Sequence, residues 1–91
     1  MKQLYYRVKD PNGFHVRPSI KVAECLKKYH CDSIVECGKK VAKGKDAVGI
    51  RKMHILQGEL ILFSLNGEEE DEACQDLQII LKKLNSGNQV Y

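Results

Sequence analysis

Ninety-one residues make one domain, and a domain of that size buries too little to enclose a deep catalytic pocket, so a surface site or a docking face is expected. Fifteen lysines and arginines against twelve acidic residues leave a formal charge of +3, too weak a bias to imply nucleic acid. Lys39, Lys40, Lys43 and Lys45 form a basic run and residues 68–72 an acidic one; both are expected to be solvated surface, and no aromatic residue interleaves the lysines to stack on bases.

Residues 3–8 are rich in β-formers and predict a strand, closed by the turn signal Asp10-Pro11-Asn12-Gly13. A helix is predicted over 17–29, starting at about His15 to Arg17. Pro18 suits the first turn, where its missing N–H costs nothing. Val22, Ala23, Leu26 and Tyr29 recur at helical spacing and should face the core, with Glu24, Lys27 and Lys28 largely opposite. Ser33–Cys37 reads as a short strand, Gly38 as its turn, and Lys39–Ala42 as the returning hairpin partner. After Gly44, residues 46–53 predict a short helix with Asp46 as N-cap. Glu59–Leu65, set off by Gly58 and Asn66-Gly67, is the clearest strand. A last helix should run from about Glu68 to Leu84, burying Ala73, Leu77, Ile80, Leu81 and Leu84.

The element order β-α-β-β-α-β-α predicts an α+β open-faced sandwich: a four-stranded antiparallel sheet with three helices on one face. Residues 1–85 are expected to form that single domain and 86–91 a flexible C-terminal tail.

Cys25, Cys31, Cys37 and Cys74 form no CxxC pair and no zinc-spaced cluster, so no metal site is expected. The start Met1-Lys2-Gln3-Leu4-Tyr5-Tyr6 carries no apolar signal segment, and no stretch is long and apolar enough to insert into a membrane. Free thiols in a reducing cytoplasm are the expectation.

The chemistry-bearing stretch is Asn12-Gly13-Phe14-His15-Val16-Arg17-Pro18. Gly13 permits a sharp turn, after which His15 falls where the helix begins, beside backbone N–H groups with no helical partner. Such an end favours anions. Arg17 adds a planar, permanently charged fork that matches phosphate oxygens. Neutral imidazole is well populated near neutral pH and is a competent nucleophile. A histidine beside an arginine is ordinary surface when met alone; here the parts fit a site that accepts a phosphoryl group.

Residues 11–18 resemble the active-site motif of HPr, the histidine phosphocarrier family of the bacterial phosphoenolpyruvate:sugar phosphotransferase system. The resemblance extends over about residues 2–84, through the hairpin at Gly38, the helix from Asp46, the Gln57-Gly58-Glu59 lead-in to the last strand and the Gly67-Glu68 helix start. It implies that His15 takes a phosphoryl group on Nδ1 from Enzyme I, with phosphoenolpyruvate as ultimate donor and no cofactor. It implies onward transfer to sugar-specific IIA proteins. Arg17 would balance the phosphate charge, and Val16, Arg17 and Pro18 would form the phosphate cradle. Asn12, Ile20, Glu24, Ala47, Val48 and Arg51 would meet partners. A monomer is expected, with a transcription regulator as a further partner.

Three departures stand out. Where many Gram-positive members carry a serine that a regulatory kinase phosphorylates, this chain has Asp46, either a plain helix cap or a partial imitation of phosphoserine with less charge. The second possibility makes the chain a regulatory binding module in which transfer is secondary. His54 stands where the family commonly has glycine, and Glu24 where it is often apolar or basic.

Overall fold

The computed structural model describes residues 1–87. In chain order they form β1 (Lys2–Arg7), α1 (Val16–Lys27), β2 (Asp32–Cys37), β3 (Lys40–Lys43), α2 (Ala47–Lys52), β4 (Leu60–Asn66) and α3 (Glu70–Gly87). The sheet order is β1-β4-β2-β3, antiparallel at every pairing. The last strand therefore enters between the first two, and α1 carries the chain across the slot it fills.

Side-chain alternation explains why only one face is covered. Leu4, Tyr6 and Val8, Ser33, Val35 and Cys37, and Ile61, Phe63 and Leu65 point one way, into the core. Their neighbours Tyr5, Val41 and Leu60 are exposed on the other face. The helices close the inner face with Val22, Ala23, Cys25 and Leu26 of α1, Ile50 of α2, and Ala73, Leu77 and Leu81 of α3. Helix α1 packs against both α2 and α3. This is the α+β open-faced sandwich expected from the element order.

The differences from expectation are at element ends. Tyr29 is half-buried just beyond α1 rather than on its last turn, and its hydroxyl donates to Asp76 of α3 at 2.8 Å. Helix α3 begins at Glu70 rather than Glu68, because the acidic run first satisfies backbone groups. Glu69 accepts from the His30 N–H at 2.7 Å and Glu70 from the Gly67 N–H at 3.1 Å. The run is thus only partly solvated surface. At its other end α3 continues through Gly87, past the expected stop at Leu84; the remainder of the expected tail, 88–91, lies outside the described residues.

All four cysteines are free, three of them buried. Burial pushes the Cys25 thiol up to about 11 and also raises Cys31 and Cys37, which leaves little reactive thiolate at neutral pH. Among the described residues, no three His, Cys, Asp or Glu side chains converge to hold a metal ion, and no helix is long and apolar enough to cross a membrane.

Candidate functional site

The site is built on the link from β1 to α1. Val8 holds the end of the first strand by donating to the Glu59 carbonyl at 3.0 Å. The turn then closes with the Gly13 N–H on the Asp10 carbonyl at 2.9 Å, and the Asp10 Oδ1 accepts from the Asn12 N–H at 2.9 Å. Gly13 has φ +71°, and a Cβ there would run into the Ile55 carbonyl, so glycine is required twice over. Phe14 is buried, stands edge-on to the Tyr6 ring with centroids 6.1 Å apart, and donates its N–H to Ile55 at 2.9 Å. The segment after α2 therefore clamps the turn from one side and the core from the other.

His15 follows as the N-cap of α1, with φ −84° and ψ −160°. Its side chain does not cap the helix. Instead its carbonyl accepts from both the Ser19 N–H, at 3.2 Å, and the Ser19 hydroxyl, at 2.7 Å, which ties the backbone and leaves the imidazole to face outward. The N–H groups of Val16 and Arg17 lie in the first turn, ahead of the helical ladder, where the dipole is positive. Pro18, buried at the third position, gives up no bond there.

The imidazole is half-buried, and its Nε2 lies 3.2 Å from the Asp10 Oδ2. An open cleft of about 210 Å³ adjoins the ring. Tyr6, Val8 and Phe14 line it from the core, and Arg17, Lys21 and Lys83 add three cations. Burial, with the Asp10 charge second, raises the Tyr6 phenol above its ordinary value and keeps it protonated. On the outer side of α1 a shallow groove runs past His15, Val16, Arg17, Ile20, Lys21 and Glu24.

Of the residues singled out from sequence, His15, Val16, Arg17, Pro18, Ile20 and Glu24 come together at the start of α1. Asn12 is exposed in the turn just before it. Ala47, Val48 and Arg51 sit on α2, which packs beside α1; Val48 is 53% exposed and Ile20 43%. Neither is core. Asp46 is the N-cap of α2, its carboxylate accepting from the Gly49 N–H at 3.0 Å. Sequence reasoning treated Asp10 as turn punctuation only. Its place, five positions before His15 across a proline-stiffened turn, was the available signal. Lys21 and Lys83 were also missed, as was Leu56, 65% exposed beside Gly13.

The family model described as "PTS HPr component phosphorylation site" matches residues 3–83. The phosphocarrier protein HPr of Buchnera aphidicola subsp. Acyrthosiphon pisum is 33% identical over 85 residues, covering 92% of this chain and 99% of that one. The solved structure of HPr-C-His from Thermoanaerobacter tengcongensis superposes with TM-score 0.83 at 26% identity, over 92% of this chain and 94% of that one. A mycoplasma histidine-containing phosphocarrier protein shares the fold, with TM-score 0.85 at 21% identity over 88% and 91% of the two chains.

Proposed function

This chain belongs to the HPr family, and on that premise we propose that it is a phosphoryl carrier that loads on His15 from Enzyme I and discharges to IIA proteins of the phosphotransferase system. The observation that carries the reading is His15 as N-cap of α1, with Arg17 two positions on, inside a family match that runs from residue 3 to residue 83.

The imidazole is the nucleophile, and its Nδ1 forms the bond to phosphorus. The incoming dianion meets the N–H groups of Val16 and Arg17, the positive end of α1 and the Arg17 guanidinium. Val16 and Arg17 are exposed, so these interactions are modest, which suits a carrier: the group must be held and also surrendered. Val16, Ile20 and Val48 supply exposed apolar area for a partner, with Asn12, Glu24, Ala47 and Arg51 around it. Phosphoenolpyruvate is the ultimate donor, and the relay operates in the cytoplasm.

Transfer is tested by isolating the charged protein and mixing it with a IIA domain. The phosphoryl group should leave His15 and appear on the acceptor. A charged form that no IIA domain discharges contradicts the relay.

A second reading, a regulatory module in which Asp46 imitates phosphoserine, is favoured by the exposure of Asp46 at the start of α2. Its carboxylate carries a single charge and is engaged with the Gly49 N–H, so the carrier reading is preferred.

A further inference from the structure

We propose that Asp10 is a positioning residue for His15, holding the Nε2 proton so that Nδ1 presents a free lone pair toward the phosphoryl donor. The inference rests on the carrier reading above.

The argument starts from the two oxygens of one carboxylate. Oδ1 accepts from the Asn12 N–H at 2.9 Å, and Oδ2 stands 3.2 Å from His15 Nε2. The first bond fixes the orientation of the carboxylate, so the second is not left to a freely rotating side chain. Pro11, with its locked φ, and Gly13, donating to the Asp10 carbonyl, stiffen the same four residues. The Asp10 side chain is only 22% exposed and the His15 ring 38%, so the pair is partly shielded from water, where a charge-assisted bond counts for more.

An ionised carboxylate can only accept. The nitrogen facing it must therefore carry a proton, and neutral imidazole has just one N–H. Nε2–H then leaves Nδ1 unprotonated. The contact also opposes a ring flip, which would exchange the two nitrogens.

The transfer step balances with no further group. The Nδ1 lone pair forms the bond to phosphorus, and the donor's bond to phosphorus breaks with its electron pair leaving on the donor. The Nε2 proton stays in place. The ring acquires a positive charge that faces the Asp10 carboxylate. In discharge an acceptor lone pair attacks phosphorus, the N–P pair returns to Nδ1, and the ring is neutral again. A ring protonated at Nε2 is the better leaving group, so the same contact serves both directions.

The substitution Asp10→Asn separates positioning from turn structure. An asparagine can keep its oxygen on the Asn12 N–H, which preserves the turn. Its amide then donates toward Nε2, which moves the proton to Nδ1 and blocks the nucleophile. Initial loading rates with phosphoenolpyruvate and Enzyme I should fall about tenfold or more in Asp10→Asn, the rate equivalent of one charge-assisted hydrogen bond. Asp10→Ala, which leaves the tautomer free, should lose less. Nitrogen-15 spectra of the unsubstituted protein should show Nε2 protonated and Nδ1 bare, and those of Asp10→Asn the reverse. Loading of Asp10→Asn at the parent rate overturns the proposal, as does a parent ring protonated mainly at Nδ1. If the parent itself does not load, the carrier reading falls; if the parent loads and both variants match it, only the role of Asp10 falls.

Discussion

The Phe14 N–H donates to the Ile55 carbonyl at 2.9 Å, and this bond couples the turn that presents His15 to the segment leaving α2. It requires the two backbones to approach so closely that position 13 has no room for a side chain. Gly13→Ala would both strain a φ of +71° and press a Cβ against Ile55. The expected cost is about 2 kcal/mol or more, summing left-handed strain with overpacking. Chemical denaturation should show it, and the loading rate at His15 should fall with it. A variant as stable as the parent contradicts the clamp.

Asp46 divides its two readings by a pair of substitutions. As a cap it is replaceable by serine with little change, whereas Asp46→Ala should cost about 1 kcal/mol. If Asp46 is only a cap, Asp46→Ser loads from Enzyme I at the parent's rate. A faster Asp46→Ser identifies the negative charge as a brake on transfer.

The contact of α3 with the residues just after α1 predicts an acid limit to stability. Asp76 accepts from the Tyr29 hydroxyl at 2.8 Å and pairs with Lys28 at 3.1 Å; these hold its carboxyl below its ordinary 3.8. A carboxyl depressed in the folded state stabilises it above the unfolded value, and that contribution is lost as pH falls through the folded value. Glu59 and Glu70 are depressed too, by the N–H groups of Leu56 and Gly67. Melting temperature should therefore drop as pH falls below about 4. Asp76→Asn should be less stable at neutral pH and lose less on acidification. An identical pH profile in parent and variant contradicts this assignment.

His54 shows both the reach and the limit of the sequence. The resemblance singles out this position, but only the backbone shows its strain: φ is +51°, the left-handed region, occupied here by a side chain. His54→Gly should relieve that strain, offset by glycine's larger unfolded-state entropy, for a net gain of about 0.5 kcal/mol. Thermal denaturation reads it, and a destabilised variant refutes the strain argument.

All seven elements were legible because each has a period and a stop: alternation to Leu65 before Asn66-Gly67, the 3.6-residue stripe through Val22 and Leu26. The insertion of β4 between β1 and β2 was not, since pairing depends on distant partners such as Leu4 opposite Phe63. Ends moved where side chains bind backbone, as Glu69 does at His30. The position of His15 at a helix start followed from Gly13 and Pro18. The contact of His15 with Asp10 did not, because a turn's handedness and side-chain direction set it, and neither is written in residue spacing. Exposure of Ile20 and Val48 likewise needed the packing of α1 on α2.

The central claim is that His15 accepts a phosphoryl group. Incubation with phosphoenolpyruvate and a catalytic amount of Enzyme I, followed by mass analysis, tests it most directly. The account predicts one acid-labile phosphoryl group per chain, absent in His15→Ala. No adduct from a competent donor, or an adduct that persists in His15→Ala, contradicts it.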